Sequence, residues 1–366
     1  MNDAAAERLL SIYLDAEVLI LAEMRRAFHN GAWASWANMA NKDHNLQQLI
    51  ARVRRILATA DTKAGQQLAT LAAEDYTAAL EEVMREVSHT APLQASASGL
   101  LVAERAAVAT RTALASTHLQ VIRQVRDVYQ SITAQTVQTA LLAGVNHQTA
   151  MRHAFNQYAN RGITAFTDAA GRKWGLDSYV DMSIRTMRNQ VTQEAHIDGY
   201  QQGGVELVRA SWHPASAPQC YPFQNQLLAI SGEAGERVMT DPATGQQVTV
   251  HVKDTLRGAI SKGYHHPNCK HRDVAYTPGD PTPTSPTADP STNLKQYKAS
   301  QKQRRLERQK RRWKRREAAA LTPEDRQQAR QHIKATNQRL RDHVAEHPHL
   351  SRAYHREGDR THQTRK

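Results

Sequence analysis

Apolar residues in the first 143 positions recur at helical steps. Between 100 and 143, Leu114, His118, Val121, Val125, Val128 and Ile132 alternate spacings of four and three, the seam of a helix packed lengthwise on another helix. The same steps at Tyr76, Leu80, Val83 and Val87 predict a helix over about 64–88, closed by Pro92 and the stretch QASASG. Pro92 is the single proline between residues 3 and 143, so long helices fit the composition. Gly144 suits a helix stop and Asn146 a cap for the next helix. The most apolar run, LLSIYLDAEVLILAEMRR, is interrupted by Asp15, Glu17 and Glu23; it predicts an amphipathic helix and excludes a membrane span there.

The period changes after residue 160. In RGITAFTDAAGRKW, two short β-prone runs flank a turn composition and predict a small hairpin, followed by a helix over about 177–201. VELVRASW and QQVTVHV then read as strands between Gly- and Pro-rich turns. TPGDPTPTSPTADPST lacks large apolar side chains and predicts an extended linker. Beyond it, Thr322 as cap, Pro323 at the first helical position and two following acids mark a helix start. The expected fold class is α+β, mostly α. It comprises an elongated N-terminal helical bundle (1–150), a small central α+β module (151–277), a Pro-rich linker (278–294) and a basic helical tail (295–366) standing apart from the body.

Charge sharpens that division. Residues 1–294 carry 26 basic and 27 acidic side chains, so the net charge of +13 belongs to the tail. Residues 295–316 hold twelve Lys and Arg against the single acid Glu307, a density that expects a polyanion. Lys302, Arg304, Arg305, Arg308, Lys310, Arg311, Arg312, Lys314, Arg315 and Arg316 are the candidate contacts to double-stranded DNA. Such contacts neutralise phosphates without reading bases. An acidic protein surface is the alternative partner, and Trp313 is expected to pack on protein more readily than on a base.

Candidate chemistry concentrates in SWHPASAPQC and GYHHPNCKHRD, which offer His213, Cys220, His265, His266, Cys269 and His271 as ligands. The spacing matches no standard zinc finger. Three readings stay open: a structural corner in which the cysteines lie close or bond, a zinc site, and a Cys/His nucleophile oriented by Asn268 or Asp273. Two cysteines are too few for a disulfide scaffold, and MNDAAAERLL lacks the order of a secretory signal, so synthesis in a reducing cytoplasm is expected. Glu194 and Asp198, one helical turn apart, read as a solvated face, and nothing resembles a phosphate-cradling glycine loop.

Taken in order, TDAAGRKWGLDSYVDMSIRT, SWHPASAPQC, the turn after NQLLAISG, GYHHPNCKHRDVAYTPG and YKASQKQRRLERQKRRWKRR resemble the phage minor capsid protein 2 family, itself similar in layout to Mu F-type head morphogenesis proteins. The resemblance covers roughly residues 150–358. Where such proteins often carry a further cysteine soon after the segment like HPNC, this chain has Lys270 and His271. The resemblance implies a minor structural, non-enzymatic component of a tailed-phage head, assembled in the bacterial cytoplasm. Its implied partners are portal and capsid proteins, with a role in head assembly and in DNA packaging or ejection. A Cys/His-dependent enzyme or toxin-like domain is the alternative, and a non-specific DNA-binding protein the second. The N-terminal bundle is expected to dock on portal or capsid through one of its apolar seams, an expectation motivated by the stripe from Leu114 to Ile132.

Overall fold

A computed structural model describes residues 3–29, 42–87, 94–143, 146–161, 165–168, 171–266, 269–281 and 289–357. The fold is α+β and mostly α. Helices α1 (Asp3–His29), α2 (Lys42–Val87), α3 (Ala97–Ala143) and α4 (His147–Arg161) precede a hairpin of β1 (Phe166–Thr167) and β2 (Lys173–Trp174). Helix α5 (Leu176–Gln202) leads into β3 (Leu207–Ala210), β4 (Leu227–Ala229), β5 (Gly235–Thr240), β6 (Gln247–Thr255), α6 (Leu256–Ser261) and β7 (Asp273–Tyr276). Helices α7 (Pro290–Ala319) and α8 (Pro323–Ala345) follow. The turn at Pro92, the stop at Gly144 and part of the hairpin turn lie outside the described residues, as do 282–288 of the linker.

These elements form two compact units that do not follow the consecutive division expected from sequence. The first joins residues 68–109 to 184–302, and the second gathers 4–67, 110–183 and 303–366. Helices α2, α3, α5 and α7 each contribute to both.

The first unit is built on a five-stranded sheet in the order β5-β6-β4-β3-β7, antiparallel except for the parallel pair β4 and β6. Strand alternation sends Val208 and Leu228 to one face, where they pack with Ile197 and Tyr200 of α5, Val83 of α2, and Cys220, Leu256 and Tyr264. Leu207 and Ala229 point to the other face, with Val250 and Val252. Gly199 lets α5 lie close on α2, since a β-carbon there would stand 3.0 Å from Val83 Cγ1. Below this contact the buried Asp75 carboxylate takes both Nε and Nη2 of Arg188, at 2.7 and 3.1 Å.

The second unit is helical around the hairpin. Leu114, Val121, Val125, Val128 and Ile132 are all at most 1% exposed. The predicted seam therefore exists but is consumed inside the chain, which corrects the expectation that it docks on a partner. Helix α1 buries Leu9, Tyr13, Ile20, Met24 and Phe28, and Phe28 stacks on Tyr129 at 5.0 Å and meets Phe155 edge-on at 5.7 Å. In the hairpin, Asp168 accepts hydrogen bonds from the Arg172 backbone N–H at 2.8 Å, Arg172 Nε at 2.7 Å and Trp174 Nε1 at 2.9 Å.

The end of the proline-rich segment starts a helix. Helix α7 begins at Pro290, inside the predicted linker, because Asp289 Oδ1 accepts the backbone N–H groups of Ser291 and Thr292 at 2.9 and 3.0 Å. Thr322 caps α8 as predicted, its hydroxyl accepting from the Asp325 N–H at 3.2 Å.

Truncating the buried seam and its exposed neighbour separates packing from propensity. Leu114→Ala is expected to lower unfolding free energy by about 2–5 kcal/mol. Leu119→Ala, at a position 64% exposed on the same helix, should change it by no more than about 0.5 kcal/mol. Urea titrations of both variants check this.

Candidate nucleic-acid interface and Cys/His cluster

The basic stretch of α7 is a packed helix of the body, correcting the expectation of an independent tail. Its cations fall into two groups. The inner group is paired: Lys310 is buried against Glu357 at 2.7 Å and Asn337 at 3.2 Å, and Arg311 Nε donates to Asp177 Oδ2 at 2.6 Å. Arg315 lies 3.1 Å from Asp177 and 3.6 Å from Glu17. Glu307, the one acid of the run, is buried and holds Arg356 through two contacts of 2.9 Å. Arg316 reaches Gln328 at 3.2 Å and lies over the Trp313 ring, which stacks on His332 with centroids 3.8 Å apart. Trp313 thus packs on protein, and Leu306 is buried.

The outer group is Lys302, Arg305, Arg308 and Arg312, all exposed, while Arg304 and Lys314 are half-buried. Arg305, Arg308 and Arg312 follow steps of three and four and so share one helix face. Among the described residues no carboxylate lies within ion-pair distance of these three arginines. They line a groove of about 980 Å³ together with Arg311, Arg315, Phe166, Trp174 and Trp313. The carboxylates in its wall, Glu17 and Asp177, are the ones already held by Arg311 and Arg315. Burial and the neighbouring charges of Arg311 and Arg305 push Arg308 below the ordinary arginine value, a crowding that an anion would relieve.

Asp177 was not legible as a partner of α7 in the sequence. Its one signal is its place in the first turn of α5, where an acid suits the helix dipole. Burial alone would raise its carboxyl, but Arg315 and Arg311 outweigh burial and hold it at about 2.

The Cys/His residues gather in the first unit. Cys220 lies between β3 and β4, and Cys269 lies between α6 and β7. Their sulfurs are 3.7 Å apart and both thiols are free. Cys220, His266 and Cys269 each offer a ligand atom, all within 4.8 Å of one another. His271 Nδ1 is 3.2 Å from Cys269 Sγ, while its Nε2 is 3.2 Å from Gln224 Oε1. That oxygen already accepts the His213 backbone N–H at 2.8 Å, which fixes the amide orientation. His271 therefore donates through Nε2 and turns the Nδ1 lone pair towards sulfur.

His265 is not free to serve as a ligand. Its Nε2 meets Asp273 Oδ2 at 2.7 Å, and its Nδ1 meets Gln193 Nε2 at 3.2 Å. Burial opposes its charge, but the Asp273 carboxylate prevails and raises it to about 9. Its backbone is left-handed, at φ 55°, and the Asn189 amide holds the carbonyls of both His265 and His266 at 3.0 and 3.1 Å. His213 stays outside the cluster, with its ring centroid 6.0 Å from that of His271. Asn268 lies outside the described residues. The hydrogen bond shared by Cys220 and Cys269 moves the two thiols in opposite directions, pushing Cys269 up with burial adding to it and drawing Cys220 down against burial. Glu194 reaches Arg257 at 3.4 Å and Asp198 accepts the Tyr76 hydroxyl, so neither carboxylate stands ready for acid/base work.

Comparison with known proteins decides the affiliation. A family model described as phage minor capsid protein 2 matches residues 2–345. The chain belongs to that family. The match takes in α1 to α4 as well, beyond the 150–358 stretch over which the resemblance was legible. A structural protein of Lactococcus phage LL-H is 24% identical over 234 residues, covering 63% of this chain and 61% of the relative. The chain thus spans less than two thirds of that relative's length. No solved structure matches. Members of this family are virion components, so the protein is a phage minor capsid, structural protein. Among the described residues no helix is long and apolar enough to cross a membrane.

The ion cluster around Asp177 sets an acid limit. Its carboxyl sits lower folded, at about 2, than its ordinary value of 3.8. The stabilisation is present above pH 3.8 and is lost as pH falls through 2. Asp177→Asn is expected to cost about 3–5 kcal/mol at neutral pH by leaving Arg311 without its carboxylate and Arg315 with Glu17 alone, and to flatten the acid limb of stability. Denaturant titrations followed by tryptophan fluorescence at several pH values measure both effects.

Proposed function

We propose that this minor capsid protein contacts packaged DNA through the outer face of α7, at or near the portal vertex, during head assembly and DNA packaging or ejection. The observation that carries the reading is the exposed triad Arg305, Arg308 and Arg312, lining a groove whose carboxylates are already neutralised. Such a face attracts phosphate oxygens irrespective of base sequence. Of the ten cations proposed from sequence, Lys310, Arg311 and Arg315 serve the fold, and Lys302, Arg305, Arg308 and Arg312 are exposed for a partner. The Cys/His cluster is read as structural and the protein as non-enzymatic, because the cysteines face each other and the histidines His265 and His271 are engaged with Asp273 and Gln224. Docking on portal or capsid falls to surfaces other than the buried seam; Val18, Leu19 and Leu119 are exposed apolar side chains of the same unit.

The test is duplex-DNA binding against salt. The unaltered chain should bind without sequence preference, its affinity falling linearly with log salt concentration. Replacing Arg305, Arg308 and Arg312 with Ala should reduce that slope by about 2–3, with thermal stability unchanged. Binding unaltered by the triple replacement would move the interface off α7.

A further inference from the structure

The Cys/His cluster sets its two sulfurs at the separation that a shared metal requires. Zinc bound by thiolates at about 2.3 Å in a tetrahedron sets its sulfurs about 3.8 Å apart, and Cys220 and Cys269 stand at 3.7 Å. A disulfide would need about 2.05 Å. His266 supplies a third donor within the same 4.8 Å envelope. His271 stands outside that 4.8 Å group, but its Nδ1 is 3.2 Å from Cys269 Sγ, near enough to supply the fourth donor, and its other nitrogen is held by Gln224, the outer contact that commonly orients a ligating histidine.

We propose that Cys220, His266, Cys269 and His271 form a structural zinc site that clamps the loop before β4 to the loop before β7. Binding Zn²⁺ releases one proton from each thiol to solvent and leaves two thiolates balancing the dication, a neutral group suited to a buried position. The surroundings are built to hold these ligands in place. Asn189 of α5 fixes the His265 and His266 carbonyls in a backbone turn that L residues rarely adopt. The Ser211 N–H donates to Arg272 O at 2.7 Å, and the Arg272 N–H donates to Ser211 Oγ at 2.9 Å, drawing the two loops together. Asn293, in the first turn of α7, pairs with the Ser216 backbone in both directions at 2.9 and 2.8 Å. The clamp therefore ties α5, the sheet loops and the start of α7 at one point. His343, Glu346 and His347, at the end of α8, form a second group with ligand atoms within 4.8 Å, but it has no thiolate.

The experiment is elemental analysis of the purified full-length chain and of Cys220→Ser, Cys269→Ser, Gln224→Ala and His347→Ala, followed by cobalt substitution of the unaltered chain. The expected result is about one zinc per chain, as one tetrahedral site holds. It should be absent from both cysteine variants, retained by His347→Ala, and bound roughly 10–100-fold more weakly by Gln224→Ala. Cobalt should give intense tetrahedral visible bands with thiolate charge transfer, a readout that stands even if a cysteine variant fails to fold. A metal-free folded chain with two reactive thiols would overturn the proposal. So would a Cys220–Cys269 disulfide in intact mass, zinc lost from His347→Ala but kept by the cysteine variants, or weak octahedral cobalt bands.

Discussion

One buried carboxylate organises the second unit. Asp177 is almost fully buried in the first turn of α5, at the wall of the groove, and two guanidiniums of α7 converge on it. A buried anion costs several kcal/mol unless it is paired and hydrogen-bonded, so the position of α7 beside α5 follows from where that charge must be met. Arg311 and Arg315 are four residues apart and project from the same side of their helix. Glu17 of α1 meets Arg315 and draws a third helix into the same ionic network.

This requirement divides a run that looks uniform in sequence. Twelve cations in 22 positions suggest a solvated rod, yet Lys310, Arg311 and Arg315 turn inwards to Glu357 and Asp177 while others point outwards. The capping and dipole rules at Asp289, Thr322 and Asp177 then set where the helices begin. Charge count alone overestimates what remains for a partner, because some of the same residues hold the fold together.

Periodicity made the helices legible. The seam on α3, the steps from Tyr76 to Val87, the hairpin, β3, β6 and the cap of α8 all follow local patterns of apolar spacing and turn chemistry. What local pattern cannot carry is which acid meets which base across more than a hundred residues: Asp75 with Arg188 and Asp177 with Arg311 leave no periodic trace. The same limit made the seam look like a docking surface and the tail look separate, since burial of either depends on segments distant in the chain. In the Cys/His stretches, residue types pointed to candidate ligands, of which the fold brings Cys220, His266 and Cys269 together. Only the hydrogen bonds of Gln224, Asp273 and Gln193 separate His271, with a lone pair towards sulfur, from His265, with both nitrogens engaged.

The spacing of the outward arginines carries a consequence for movement. At about 1.5 Å of rise per residue, Arg305, Arg308 and Arg312 spread three charges over about 10 Å, whereas duplex DNA presents one phosphate per about 1.7 Å of its axis. On the proposed reading, a duplex lying along this face would find roughly half its local charge unmatched. It could then exchange one set of phosphates for the next at small cost. The face would behave as a lubricated guide that holds a duplex while letting it pass.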